Sequence, residues 1–393
     1  MVRMPDETRL RRERRSPGRR TRPQASPLAF SYALYALYSL CSGNKNGGEW
    51  RTLRVRPAAW RPPLLAQACL FCVAMIFFAA GCARENISAS TPANITVSGP
   101  VIAGRLENPK IIEASGLAPS RRGEGILWVH NDSGNDPAIY AISTEGKHLG
   151  AVWPAGADNI DWEDIESFVL GGRAYILIAD FGDNNARRKN CSFYVIEEPD
   201  RAQLSPGKDL IVPVAWQVPV AFPDGPHDCE AVAVDPGAAP DGSGGRVYIL
   251  LKRDYPFRLF TVPLKPAALA PDGVIPAQIA WQVGKLTEIP RPNAVQNLLP
   301  IPTGQYRGDP TGMSFSPGGR FAVVLTYGDV LLYPRREGES WLAALLRKPV
   351  ILPPHKLGQA EGVCFSRDGK SIFVTEEAAH ARLLRYDLRY DLK

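Results

Sequence analysis

Three acidic clusters lie close together in the chain: His130-Asn131-Asp132-Ser133-Gly134-Asn135-Asp136, Asp158-Asn159-Ile160-Asp161-Trp162-Glu163-Asp164, and Asp180-Phe181-Gly182-Asp183-Asn184-Asn185. Carboxylates and side-chain amides, with glycines for tight turns, are the donors that a hard cation or a polar ligand takes. Any one such cluster is equally an ordinary turn, because Asn, Asp and Gly are what turns use. Apolar runs precede the first and third, Ile126-Leu127-Trp128-Val129 and Tyr175-Ile176-Leu177-Ile178, so the donors fall at strand ends. Recurrence at consecutive strand ends points to a site.

The elements that must position these residues are read from repetition. A short apolar strand, a Gly-rich tip and a second apolar strand recur over residues 115–129, 164–178, 230–250, 311–324 and 361–374. Each hairpin is followed by a third strand, and a fourth follows in all but the last, where the chain ends. A strand-like piece over residues 95–102 stands unassigned before the first hairpin. An N-terminal strand that completes the last blade closes a propeller ring, and closure removes open strand edges. The expectation is an all-β chain folded as a β-propeller of five blades. Residues 286–308 are long enough to hold more strands, which leaves six blades open, and residues 340–346 alone read as helix.

In a propeller the first strand of each blade lines the channel. Setting the hairpins in register puts Ser115, Glu163, Glu230, Thr311 and Glu361 at one equivalent position, and aligns Asn131-Asp132, Asp180, Lys252-Arg253, Tyr327 and Glu376 at the ends of the second strands. The expected metal ligands are Asp132, Glu163, Asp164, Asp180, Glu230 and Glu361. Calcium suits such a set, which offers oxygen donors without Cys or His. Lys252, Arg253, Arg187 and Tyr327 are expected to hold an anionic group of a small ligand. His227, beside Asp228 and Glu230, is the general-base candidate by position, with Glu230 as the other catalytic candidate. Crowded carboxylates repel, so one or more should keep its proton above the usual range. The plainer alternative is a ring of carboxylates bonded to channel amides, with the basic groups in ion pairs. No Gly-x-Ser-x-Gly elbow, phosphate loop or His-Glu-x-x-His pair occurs.

Charge divides the chain. The first 81 residues hold 14 of the 46 basic and 4 of the 40 acidic residues, leaving 32 basic and 36 acidic in the rest. The basic balance belongs to the leader, so nucleic acid is excluded as a partner of the folded part. Residues 1–63 read as a basic, disordered leader, with an encoded start upstream of the functional one. Residues 64–82 read as an export signal: an apolar core ending in Ala79-Ala80-Gly81-Cys82. That ending resembles the bacterial lipoprotein box, in which Cys82 would be lipidated; an uncleaved membrane anchor is the rival reading. Residues 83–94 form a tether and 95–393 the propeller. Either anchor places the folded part in the cell envelope, as a periplasmic or outer-membrane lipoprotein or a membrane-attached protein. Beyond Cys82 only Cys191, Cys229 and Cys364 remain, with no Cys-x-x-Cys pair among them, which argues against a thiolate zinc site.

Asn131-Asp132-Ser133-Gly134-Asn135, Asp161-Trp162-Glu163-Asp164-Ile165, Ile178-Ala179-Asp180-Phe181-Gly182-Asp183-Asn184, Asp228-Cys229-Glu230-Ala231 with Leu251-Lys252-Arg253, and Glu361-Gly362-Val363 carry a resemblance. In these motifs the chain resembles a family of exported bacterial β-propellers, loosely related to phytase-like and esterase-like propeller proteins, over about residues 110–390. The resemblance implies the fold and export; the Asp-rich calcium motifs of true β-propeller phytases are missing. Two function classes follow. One is an envelope binding module with a cation at the channel mouth and a small anionic ligand. The other is a metal-dependent hydrolase of phosphoesters or other esters.

Overall fold

Runs of Val, Ile, Leu and aromatic residues form strands that are buried on both faces, because each sheet packs between two others. The computed structural model describes residues 95–390, apart from 238, 240 and 299–303. The chain divides into Met1–Glu85 and Asn86–Lys393. The leader, the apolar stretch, Cys82 and the tether all lie outside the described residues. Among the described residues no helix is long and apolar enough to cross a membrane.

Strands β1 (Ile95–Val97) and β2 (Val101–Arg105) open the fold. The first unit is β3 (Ala114–Pro119), β4 (Ile126–Asn131), β5 (Ile139–Ser143) and β6 (His148–Ala155). The second is β7 (Trp162–Leu170), β8 (Arg173–Asp180), β9 (Cys191–Glu197) and β10 (Asp209–Ala221). The third holds β11 (Cys229–Asp235), β12 (Arg246–Leu251) and β13 (Phe257–Pro263), then the short β14 (Gln278–Ile279) and β15 (Trp281–Leu286). The fourth is β16 (Pro310–Phe315), β17 (Phe321–Thr326), β18 (Val330–Pro334) and β19 (Val350–Ile351), with helix α1 (Trp341–Leu345) before its last strand. The fifth is β20 (Ala360–Phe365), β21 (Ser371–Glu376) and β22 (Arg382–Tyr390).

Each unit is an antiparallel meander, and the fifth is completed by β1 and β2, both of which pair with β22. The inner strands neighbour one another in a cycle, β3 to β7 to β11 to β16 to β20 and back to β3. This is a β-propeller, with five such units among the described residues, closed by its N-terminal strands. One apolar cluster lies between each neighbouring pair of units, the closing pair included, where Leu106, Leu117 and Leu127 meet Phe373 and Leu383. Strand β10 departs from a simple fourth strand. Its first half pairs parallel with β6 and its second half antiparallel with β9, so it ties the outer edges of two units together.

Inner strands pair on one edge only, which leaves backbone groups facing the channel without a ladder. Side chains of the inner strands supply the missing partners. Asp164, on β7, is fully buried; its Oδ2 accepts from Val232 N of β11 (2.8 Å) and Met313 N of β16 (3.2 Å), and its Oδ1 accepts from Ile165 N (2.9 Å). Glu166 accepts from Ser314 Oγ at 2.8 Å. Asp164 was expected among the metal ligands; its oxygens are instead occupied in bonding amides of three inner strands. Replacing it by Ala orphans at least two buried N–H groups at about 1–3 kcal/mol each. Urea unfolding of Asp164→Ala should therefore show a loss of about 2 kcal/mol or more; a variant as stable as the parent would contradict this role.

Candidate functional site

Every inner strand carries a β-bulge near its start. The ladder slips between Ala114 and Gly116, Trp162 and Asp164, Cys229 and Ala231, Pro310 and Gly312, and Ala360 and Val363. The residues left over are Ser115, Glu163, Glu230, Thr311 and, with Gly362, Glu361. These are the five positions that align in the sequence, and a bulge is a device for re-aiming a side chain. Ser115 Oγ donates to Glu163 O (2.7 Å) and Thr311 Oγ1 to Ala360 O (2.8 Å), each sewing one unit to another. The three glutamates, each at most 4% exposed, face a cavity of about 290 Å³.

The first residues after the second strands complete the walls: Asp132, Lys252, Tyr327 and Glu377 line the same cavity, together with Asn184, Arg253, Tyr306 and Gln359. Lys252, itself buried, pairs with Glu230 and lies 5.1 Å from the centre of the Tyr327 ring. Tyr327 OH donates to Glu361 Oε1 at 3.2 Å, and Gln359 Nε2 to the same oxygen at 3.1 Å while also bonding Glu377. Arg253 Nε donates to Asp228 Oδ2 at 2.7 Å, and its Nη2 bonds Asn184.

Two sets of carboxylates each bring oxygens within 4.8 Å of one another: Asp132, Asp161 and Glu163, and Glu163, Asp228 and Glu230. They differ in their counter-charges. Lys252 and Arg253 already neutralise Glu230 and Asp228 in the second set. In the first set, no ion pair among the described residues reaches Asp132, Asp161 or Glu163. Gly182 closes over this set: a Cβ there would collide with Glu163 Oε1 and the Asp161 carboxylate. Three hard oxygen donors and no His or Cys fit calcium, and backbone and water oxygens would fill its remaining positions.

Crowding and burial hold protons on the acids. Burial, then the charges of Glu230 and Asp132, push Glu163 well above the usual carboxylate range. Burial, then Glu230 and Glu377, do the same to Glu361. Burial pushes Glu230 up to about 7, with Lys252 opposing and Asp228 adding, and it pushes Asp132 up to about 6. For Lys252 burial favours the neutral amine, but Glu230, Tyr327 and further glutamates outweigh it, so its pKa is raised and it stays charged.

Of the expected ligands, Asp132, Glu163, Glu230 and Glu361 converge on the cavity, as do Lys252, Arg253 and Tyr327. Others do not. Asp180 Oδ1 accepts from Asp161 N (3.0 Å) and pairs with Arg188 (2.8 Å), so that it braces the loop behind the cavity. Arg187 is exposed and contributes its backbone N–H to Asp183 Oδ1. His227 does not line the cavity. Its Nε2 bonds Asp224 Oδ1 (2.9 Å), its ring packs on Phe222, and Arg258 joins the same network. The tight His227-to-Glu230 spacing misled because the bulge turns Glu230 inward while His227 lies before the strand. The motif reading passed over Asp161 as a ligand, and Glu377 and Gln359 altogether. Extending the alignment one residue beyond Glu376, which pairs with Arg382, would have put Glu377 level with Lys252 and Tyr327.

Fold and site together define a β-propeller with an acidic channel mouth. No family model and no curated protein matches the chain. Similar solved structures include a gluconolactonase from Xanthomonas campestris, 12% identical over 70% of this chain and 72% of that one, with a TM-score of 0.34. A hydrazine synthase from Kuenenia stuttgartiensis is 16% identical over 69% of this chain and 71% of that one, with a TM-score of 0.33. A protein described as a 6-phosphogluconolactonase, from Bacteroides uniformis, is 16% identical over 72% and 71%, with a TM-score of 0.31. Similarity at this level carries no argument about what this chain does; strand order and ring closure support the propeller.

The raised pKa values have a consequence for stability. A carboxyl that holds its proton more tightly folded than unfolded stabilises the protein at low pH, and that contribution is lost as pH rises through the folded value. For Glu230 the loss runs from its ordinary 4.5 to about 7, and for Asp132 from 3.8 to about 6. In chelator, the melting temperature should fall between about pH 4 and pH 7, and Glu163→Gln should flatten the fall by removing one repelling charge. A slope unchanged by the substitution would contradict the crowding argument.

Proposed function

We propose that the acidic mouth is a binding site for a divalent cation, calcium by its donor chemistry, held by Asp132, Asp161 and Glu163. The observation that carries this reading is the contrast between the two carboxylate sets: Glu230 and Asp228 of one are ion-paired, whereas among the described residues no ion pair reaches the other. Lys252 and Arg253 are engaged with Glu230 and Asp228, so an anionic group of a small ligand would be held mainly through the cation, with Tyr327 and Gln359 bordering it. On this reading the protein is a binding module. Attachment to a bacterial cell envelope through lipidated Cys82, or through the uncleaved apolar stretch, belongs to the same proposal; intact-mass analysis of the membrane-extracted protein distinguishes an acylated Cys82 N-terminus from an unprocessed chain.

A metal-dependent ester hydrolase is the second reading, favoured by Glu230, whose carboxyl is held at about 7 beside the cation site. Such a group can take or give a proton near neutrality. Turnover of phosphoesters or carboxylic esters that disappears in Glu230→Gln would establish it, and no turnover on such a panel leaves the binding module.

Calcium at about a hundred times its dissociation constant stabilises the folded state by about 2.7 kcal/mol. Calcium should therefore raise the melting temperature of the purified protein by several degrees, and chelator should reverse it. Glu163→Gln and Gly182→Ala should both abolish the shift. A melt indifferent to calcium, or a full shift in either variant, would sink the proposal.

A further inference from the structure

The inner strands run in the same direction around the ring, so their starts meet at the acidic mouth and their ends at the other. At that second mouth lies a cavity of about 550 Å³, lined by three arginines from three units: Arg121 after β3, Arg335 after β18 and Arg367 after β20. We infer that this mouth binds a small oxyanion of the phosphate type, gripped by Arg121, Arg335 and Arg367.

Two of the guanidinium groups are fixed in place by neutral acceptors, which orient them. Arg121, whose side chain is 11% exposed, donates from Nε and Nη2 to Ser167 O at 3.0 and 2.7 Å and forms one long ion pair, to Glu166 at 3.8 Å. Arg335 donates from Nε to Glu339 O (2.6 Å) and from Nη1 to Gly319 O (2.8 Å). Its guanidinium lies 4.4 Å from the centre of the Trp341 ring, whose other neighbour, Phe315, stacks at 3.7 Å. Among the described residues Arg335 and Arg367 have no ion pair, and Asp235 is the one acidic residue on the cavity wall. Burial lowers the Arg121 pKa, Glu166 opposes that, and the like charge of Arg367 adds to it. Guanidinium groups held in place, two of the three without an ion pair among the described residues, suit the oxygens of a tetrahedral oxyanion in geometry as well as sign. The channel is thus polarised end to end, and its two mouths select ligands of opposite charge.

Calorimetric titration of inorganic phosphate into the purified protein, free of divalent cations, tests this. Saturable binding of one ion per chain is expected, weakened about tenfold or more by Arg367→Gln and by Arg335→Gln. Arg367 sits on an exposed hairpin tip, so its variant should melt as the parent does. Glu163→Gln, at the opposite mouth, should leave phosphate affinity within about twofold. No saturable binding, or undiminished affinity in Arg367→Gln, would overturn the inference; so would a loss confined to Glu163→Gln.

Discussion

Each inner strand of this propeller has one edge in a β-ladder and the other facing the channel. That free edge is the constraint on which the rest depends. Unpaired amides and carbonyls inside a protein must find partners, and a narrow channel between five strands leaves no room for another ladder. The chain answers with polar side chains where strand interiors would ordinarily be apolar. Asp164 accepts amides from strands of two other units, while Ser115 and Thr311 donate to neighbouring carbonyls. Polarity in the channel is thus a structural need before it is a functional one.

The acidic mouth grows from the same geometry. Bulges at the strand starts turn one residue per unit toward the axis, and where that residue is Glu rather than Ser or Thr the side chain reaches past the backbone into the cavity. Three such glutamates, with Asp132, Asp161, Asp228 and Glu377 around them, form a concentration of negative charge that burial makes costly. Lys252 relieves one side of it permanently. The other side keeps its protons at moderate pH, and a cation bound there would compete with them for the same oxygens.

Much of the fold was legible because a propeller repeats its signal. Glycine-centred hairpins recur five times, and a strand-like piece before the first of them points to closure. The register was legible too, down to the bulged residues. What the sequence could not convey was which polar residue on an inner strand faces the mouth and which faces a backbone neighbour. Glu163 and Asp164 are adjacent and chemically alike, yet a bulge sends one to the cavity and the other to the amides of Val232 and Met313. Asp180 and His227 misled for a related reason. Their partners, Arg188 and Asp224, lie in loops whose path no periodicity encodes.

On the proposed reading, a cation bound by Asp132, Asp161 and Glu163 displaces protons from their carboxyls. Calcium titration by calorimetry near neutral pH, repeated in buffers of different ionisation enthalpy, counts those protons directly. The account predicts one bound ion per chain with release of on the order of one proton. Binding with no proton released, or no binding at all, would contradict it.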